Sequence, residues 1–171
     1  LEWLYSYMIR LRLPGGFLTP QQWEGLHLIA GDHSTGIIKI TTRQTLQLHG
    51  ILKSHIKPTI QSFNTLELDS IAACGDVNRN VLCSSHPKQS AIHEEIFRYA
   101  DKISTLALPK TKSYYEIWLD EEPLADRKME QDPLYQDRYL PRKFKIAIAI
   151  PPNNDVDVLA NDIGLIAITE N

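Results

Sequence analysis

The sequence changes from a strand pattern to a helix pattern near its start, and this change restricts the fold more than any other feature. Residues 5–13 alternate, with Tyr, Tyr, Ile, Leu and Leu at odd positions and Ser, Met, Arg and Arg at even ones. A period of two is typical of a half-buried strand. We therefore expect the odd positions to face the core and Arg10 and Arg12 to share the opposite face. The run Pro14-Gly15-Gly16 ends the strand.

A helix start follows the glycines. Thr19 is a suitable cap, Pro20 takes the first helical position, and Gln22 stands three residues after the cap. This spacing is typical of a capping box, in which side chain and backbone satisfy each other's hydrogen bonds. We predict a helix that runs to about Ala30.

Two strands and a second helix come next. Residues 36–41 and 45–49 have strand-like composition, and apolar side chains recur at helical spacing within residues 53–66. The order strand, helix, strand, strand, helix makes up most of a ferredoxin-like unit. We therefore predict an α+β fold whose first domain, a ferredoxin-like unit, covers residues 1–70, with a second domain over residues 71–171.

The second half of the chain differs from the first in composition and periodicity. Residues 72–87 are rich in small and polar side chains, which indicates a loop at the domain boundary. Residues 89–108 carry apolar side chains at helical spacing and are followed by a proline, so a helix is predicted there. The remaining predicted strands are residues 114–119, 143–150 and 164–169.

Composition excludes several classes of protein. The chain has 18 Lys and Arg against 21 Asp and Glu, a net charge of −3, so a generally basic nucleic-acid binder is not expected. The longest strongly apolar run, residues 146–150, is far shorter than a membrane span needs. Cys74 and Cys83 are too few for a disulfide scaffold, and free thiols suit a cytoplasmic protein. Because the chain begins with Leu1, we expect it to be a piece of a longer protein.

Basic side chains gather at the ends and faces of predicted strands. Each cluster alone could be a solvated strand edge, where lysine is common. Held together on rigid strands, the same cations would form a trap for a multi-oxygen anion or for carboxylates. The clusters are Arg10 with Arg12, Lys39 with Arg43, Arg79, and Arg142 with Lys143 and Lys145.

Other candidate sites are weaker. His49 ends a predicted strand and could be a structural histidine or a ligand. Cys83 and His86 have the spacing of half a zinc site, but the sequence has no second pair. We therefore predict no metal ligands in this chain.

Four segments of the sequence together resemble one known family. They are RLRLPGG at 10–16, TTRQTLQLHG at 41–50, CGDVNRNVL at 74–82 and YLPRKFK at 139–145. In this order they are similar to the N-terminal half of the sulfite reductase haemoproteins, members of the sirohaem-dependent sulfite and nitrite reductases. The resemblance covers nearly the whole chain. It implies that residues from about 71 onward open a sirohaem-binding α/β domain.

The resemblance also implies an activity and a set of site residues. The family reduces sulfite to sulfide with six electrons, in an assimilatory pathway, at a sirohaem coupled to a 4Fe–4S cluster. The residues that correspond to cations around the bound anion are Arg10, Arg79, Lys143 and Lys145. The residues at positions that contact sirohaem and its carboxylates are Lys39, Arg43, Gln47 and His49.

This chain departs from the family in one important respect. The four cysteines that hold the cluster come in paired motifs from the C-terminal half, and no such motif is present here. We therefore expect the cluster ligands to lie outside this chain, and the chain alone to be inactive. The expected partners are sulfite, the C-terminal half of the same enzyme and an electron donor, either a flavoprotein subunit or ferredoxin.

Two alternatives remain open from sequence. A sirohaem nitrite reductase is one, although Lys143 and Lys145 favour sulfite because nitrite-reducing members usually place asparagine at the second lysine. The other is a non-enzymatic ferredoxin-like module that binds an anion or RNA. The predicted strands lack the paired aromatic residues that stack RNA bases, so we expect neither nucleic acid nor membrane as a partner.

Overall fold

A computed structural model describes residues 5–85, 90–110, 118–119, 122–123, 132–136, 140 and 143–169. The elements are β1 (Ser6–Arg10), α1 (Pro20–His33), β2 (Ile38–Ile40), β3 (Leu46–Leu52), α2 (Lys53–Thr65), β4 (Leu82–Cys83), α3 (Ala91–Leu106), β5 (Trp118–Leu119), β6 (Glu122–Pro123), β7 (Ile146–Ala149) and β8 (Ile163–Ile166). Of the predicted features, residues 114–117, His86 and Arg142 lie outside the described part of the chain.

The first sheet is antiparallel and has the strand order β1-β3-β2. Leu46 and Leu48 of β3 are buried, whereas Gln47 and His49 on the opposite face are half-buried. Both helices contribute to the same core, where Phe63 of α2 is fully enclosed. The order β1-α1-β2-β3-α2 confirms the predicted ferredoxin-like arrangement.

Local signals in the sequence were accurate for helix α1. The Thr19 hydroxyl accepts from the Gln22 backbone N–H at 3.1 Å, and the Gln22 side chain accepts from the Thr19 N–H at 3.0 Å. The predicted capping box is therefore confirmed. The helix continues through Gly31 to His33, beyond the predicted end at Ala30.

The alternation of strand β1 holds for only part of its length. Leu11 and Leu13 are buried as predicted, but Tyr5 and Tyr7 are exposed. The pairing with β3 shifts register between Tyr7 and Met8. Such a bulge disrupts the simple alternation of faces, so the prediction that both tyrosines face the core is wrong.

A second, parallel sheet with the order β4-β7-β8 follows. Strand β7 is entirely buried, as expected for a central strand of a parallel sheet, and Ile96 and Ala100 of α3 pack in its core. All four residues of the edge strand β8 are exposed. The fold is thus α+β, as predicted, while the division after residue 70 stays a prediction.

The first unit covers the outer edge of β4. The Gly15 N–H donates to the Val81 carbonyl at 2.9 Å. The Gln44 side-chain amide donates to the Cys83 carbonyl at 2.8 Å and accepts from the Cys83 N–H at 3.1 Å. Gly15 has φ +61°, and a Cβ there would stand 2.7 Å from the Cys83 sulfur. Only glycine therefore allows this approach.

Buried Asn80 joins the two units. Its Oδ1 accepts from the Leu13 N–H at 2.8 Å, and its Nδ2 donates to the carbonyls of Leu13 at 2.7 Å and Arg43 at 2.8 Å. These bonds tie the loop before β4 to the backbone of the first unit. Asn78 differs, because its buried Oδ1 has no hydrogen-bond partner among the described residues.

No helix in the described part of the chain is long and apolar enough to cross a membrane.

Candidate anion-binding site

A cavity of about 300 Å³ lies where the first unit meets the parallel sheet. Its lining residues are Arg10, Thr41, Thr42, Arg43, Thr45, Gln47, Ala73, Arg79, Asn80, Lys143 and Lys145. Five of these described residues carry a positive charge, and none of them carries a carboxylate. Such a one-sided set of charges in a concave, partly desolvated site attracts anions.

Arg10 is oriented by the neighbouring strand. It pairs with Gln47 in the β1–β3 register. With the Gln47 amide turned to satisfy both neighbours, its oxygen accepts from Arg10 Nε at 3.0 Å and Nη2 at 2.7 Å, and its nitrogen donates to His49 Nε2 at 2.9 Å. The Arg10 guanidinium is thereby held as a fork, and Nε2 of His49 acts as an acceptor.

Lys39 and His49 lie beside this cavity and are not among its lining residues. Lys39 stands opposite Gln47 in the β2–β3 register, so Arg10, Gln47 and Lys39 form one row across the sheet. Burial, then the charges of Lys39 and Arg10, lower the pKa of His49. The neutral imidazole is therefore favoured, in agreement with its acceptor role.

Arg79 and the two lysines come together through backbone pairing. The Arg79 N–H donates to the Phe144 carbonyl at 2.8 Å, and Asn78 and Phe144 form a parallel bridge. Residues 143–145 therefore run alongside residues 78–79. This places Lys143 and Lys145 on the same cavity as Arg79.

Lys145 is fixed by a turn near β8. Its backbone N–H donates to Asp162 Oδ2 at 2.8 Å, and its Nζ lies 3.4 Å from the Ala160 carbonyl. Lys143 is exposed. The backbone of the lysine pair is thus anchored at Lys145, while the Lys143 ammonium keeps access to solvent.

Arg43 both lines the cavity and ties the units together. Its Nη2 donates to the Asn80 carbonyl at 2.6 Å, and its Nη1 donates to Asn161 Oδ1 at 3.0 Å. Burial, followed by the charge of Arg79, lowers its pKa, whereas Asp162 raises it. Arg43 Nε is buried without a hydrogen-bond partner among the described residues, so one donor is left over.

Arg12 requires a correction. Its position on the alternating strand predicted that it would share the anion-facing cluster with Arg10. The structure instead pairs its guanidinium with Asp69, at 2.5 Å between Nη2 and Oδ2, and Arg12 is not a cavity residue. Its charge is already compensated.

Sequence reasoning did not select several lining residues, namely Thr41, Thr42, Thr45, Ala73 and Asn80, as site residues. The threonines flank Arg43 in the segment TTRQT, and this proximity was the available signal. Thr41 Oγ1 accepts from the Arg43 N–H at 3.3 Å, and the Thr45 hydroxyl donates to the Leu11 carbonyl.

The donor set suits a carboxylate-rich group better than a metal. Within the described residues, no three His, Cys, Asp or Glu side chains come together as a metal site. Both cysteines are free thiols, Cys74 exposed and Cys83 buried, and burial raises the pKa of Cys83 to about 11. The spare Arg43 Nε and the lysines can bind carboxylates or an oxyanion, as sirohaem and sulfite require.

Two family profiles match the chain. The profile described as the nitrite/sulfite reductase ferredoxin-like half domain matches residues 4–65, and the nitrite and sulphite reductase 4Fe-4S domain matches residues 98–171. Together they cover most of the chain. Residues 98–171 contain no cysteine, so the matched part of the second domain brings no cluster ligand.

Similar proteins agree with these matches. A protein of Leptospira biflexa named sulfite reductase (NADPH) hemoprotein beta-component is 68% identical over 100% of this chain and 31% of its own length. The protein of the same name from Staphylococcus haemolyticus is 55% identical over 99% of this chain and 30% of its own length. The chain thus spans about a third of the length of these relatives.

A solved structure agrees with the fold. The NirA protein of Mycobacterium tuberculosis superposes with a TM-score of 0.60 at 23% identity, over 95% of this chain and 25% of that one. At this identity the likeness concerns the fold alone. Profiles and relatives nevertheless agree on the predicted resemblance: the chain belongs to the nitrite and sulfite reductase family and is a homologue of the sulfite reductase hemoprotein beta-component.

Proposed function

We propose that this chain is part of an assimilatory sulfite reductase haemoprotein, which reduces sulfite to sulfide with six electrons at a sirohaem coupled to a 4Fe–4S cluster. The observation that carries the proposal is the cavity whose described lining residues include five cations and no carboxylate. Sulfite is a compact dianion at or above neutral pH, and its binding requires this kind of compensation. The names of the similar proteins support the same activity.

Sirohaem would be held by residues around the first sheet. Lys39, Arg43 and His49 offer positive or polar groups to its carboxylates, and Gln47 links two of the site side chains. When bound, sirohaem would supply the iron at which the sulfur atom is reduced, with electrons that come from the electron donor. The protein's own contribution is position and electrostatic field.

The four proposed catalytic cations divide the work by their chemistry. The guanidiniums of Arg10 and Arg79 keep their charge and present fixed donors, so we assign them to the sulfite oxygens. A lysine ammonium can transfer one of its protons, whereas an arginine guanidinium holds its own. Lys143 and Lys145 are therefore assigned to proton donation towards each oxygen that leaves sulfur as water.

The rest of the enzyme supplies what this chain lacks. We propose that the cluster ligands lie in its C-terminal half, since this chain has only Cys74 and Cys83. The 171-residue chain alone would then be inactive. The name of the relatives includes NADPH, so we propose a flavoprotein subunit as the electron donor, with ferredoxin as the alternative. We place the enzyme in the cytoplasm.

The decisive experiment replaces Arg79 in the intact enzyme. Arg79→Ala should retain sirohaem, seen by its visible absorbance, and lose about a hundredfold in sulfite turnover with a chemical reductant. Arg79→Lys should recover only part, because the planar fork is lost.

Arg98→Ala is the matched control. Arg98 is an exposed arginine of α3 that does not line this cavity. The Arg98→Ala variant should leave sulfite turnover unchanged. Full activity of Arg79→Ala with sirohaem retained would refute the assignment.

A further inference from the structure

We propose that Arg12 and Asp69, which do not line the cavity, are positioning residues that fix the geometry of Arg10 and Arg79. They do so by holding the turn that presents the Ala73 carbonyl. This inference rests on the proposed function, because its consequence is measured as affinity for sulfite.

Arg12 and Asp69 form an ion pair with several short contacts. Arg12 Nε lies 3.0 Å from Asp69 Oδ1 and 3.2 Å from Oδ2, and Nη2 lies 2.5 Å from Oδ2. The side chains are 16% and 26% exposed, so solvent screens the pair only in part. A two-point contact between a guanidinium and a carboxylate restrains orientation as well as distance.

The pair is anchored on two sides. The Arg12 backbone N–H donates to the Asp69 carbonyl at 2.9 Å, which joins the end of β1 to the turn. Arg12 Nη1 also donates to the hydroxyl of Ser104, a buried residue of α3, at 3.2 Å. This ion pair between Arg12 and Asp69, called the brace below, therefore connects three separate parts of the chain.

Asp69 also shapes the turn that follows it. Its Oδ1 accepts from the Ile71 N–H at 3.0 Å, and the Ala73 N–H donates to the Ser70 carbonyl at 3.3 Å. Ala72 has φ +56°, a conformation that a non-glycine residue adopts only when its surroundings impose it. The Asp69 carboxylate, through its bond to the Ile71 N–H, holds the residue directly before this position.

The turn ends at an acceptor that two site residues share. The Ala73 carbonyl accepts from Arg10 Nη1 at 3.2 Å and from Arg79 Nε at 3.1 Å. Two guanidiniums repel each other, and this shared acceptor helps to hold them close, in addition to the Gln47 oxygen that binds Arg10 and the Gly75 carbonyl 3.4 Å from Arg79 Nη1. A movement of the Ala73 carbonyl therefore displaces both cations at once.

The consequence concerns binding of the dianion more than proton delivery. Arg10 and Arg79 both donate to the Ala73 carbonyl, whereas Lys145 is anchored through Asp162. Loosening the brace should therefore raise the KM for sulfite and leave kcat nearly unchanged.

The test uses the intact enzyme and the variant Asp69→Ala. We expect the KM for sulfite to rise about tenfold, at the lower end of what loss of a supporting partner typically costs, while kcat changes by less than about twofold and sirohaem absorbance is retained. Asp69→Asn keeps an oxygen for the Ile71 N–H but loses the charge facing Arg12. It should give a smaller rise in the same direction.

Asp155→Ala is the matched control. Asp155 also braces a loop by its carboxylate, through the Ser84 hydroxyl at 2.5 Å and the Ser85 N–H at 3.3 Å, and contacts neither site arginine. Its KM should stay within twofold of the wild type. An equal rise in KM for Asp155→Ala would mean that any loss of rigidity has this effect, and would overturn the proposal.

The remaining outcomes are also decisive. If Asp69→Ala fails to fold, Asp69→Asn and Arg12→Lys replace it, and an unchanged KM in both overturns the proposal. A wild-type enzyme that does not reduce sulfite would refute the proposed function itself. If the wild type is active and Arg79→Ala is not, while the Asp69 variants keep a normal KM, only the positioning role fails.

Discussion

Asn80→Ala should be among the most destabilising single changes in this chain, although it removes only a small polar side chain. Asn80 is 3% exposed, and its amide joins the backbone of Leu13 and of Arg43 to the loop before β4. After the change, the Leu13 N–H and the carbonyls of Arg43 and Gln44 have no other hydrogen-bond partner among the described residues. The Leu13 carbonyl still accepts from the Gly16 N–H at 2.9 Å.

The magnitude follows from counting the groups left unpaired. A buried polar group without a partner costs about 1–3 kcal/mol, so the buried Leu13 N–H and the two part-buried carbonyls together give roughly 3 kcal/mol. That is a large part of the ~5–15 kcal/mol by which most domains are stable. Asn80→Asp should cost at least as much, because its second oxygen would face the carbonyls that Nδ2 now contacts.

Urea unfolding followed by circular dichroism measures the effect directly. Asn64→Ala is the matched control, since Asn64 is an exposed asparagine near the end of α2, and it should change stability by less than about 0.5 kcal/mol. A loss below 1 kcal/mol for Asn80→Ala would refute the reasoning. It would mean that water reaches these groups, or that the junction rearranges at little cost.

Three further predictions concern titration, reactivity and specificity. His49 should titrate in NMR below its ordinary pKa of about 6.5, and Lys39→Gln should move the pKa upward. Because the folded-state pKa is lowered, stability contributed by neutral His49 should be complete above about pH 6.5 and fall as the pH drops below it. Iodoacetamide at pH 8 should modify exposed Cys74 and spare Cys83, whose pKa is raised to about 11, and equal rates would contradict the structure. In the intact enzyme, Lys145→Asn should impair sulfite reduction more than nitrite reduction, because sulfite carries more charge, and equal losses would count against the assignment.

The elements of the first unit could be predicted because their signals are local. The Thr19–Gln22 capping box is contained in four consecutive residues and correctly placed the start of α1. The alternation of β1 predicted a strand, but the bulge between Tyr7 and Met8 could not be anticipated. It arises from pairing with residues of β3 more than forty positions away.

The site was predicted less completely, and Arg12 explains why. Alternation placed Arg10 and Arg12 on one strand face, and this pattern does not distinguish the two as anion ligands. Only the position of Asp69, far along the chain, decides that Arg12 is compensated and Arg10 is not. The roles of the eight residues named from the resemblance stay predictions, although the structure brings six of them to one cavity, namely Arg10, Arg43, Gln47, Arg79, Lys143 and Lys145.

The contact of Gln44 and Gly15 with β4 has a consequence for how the parallel sheet can associate. A bare strand edge is a template for further strands, and proteins commonly block it. Here a side-chain amide and one N–H occupy the hydrogen-bonding positions of Val81 and Cys83 that an incoming strand would need. Strand β8, with its exposed Ile163–Ile166, has no such cover among the described residues. A further strand can therefore pair with the sheet beside β8 but not beside β4.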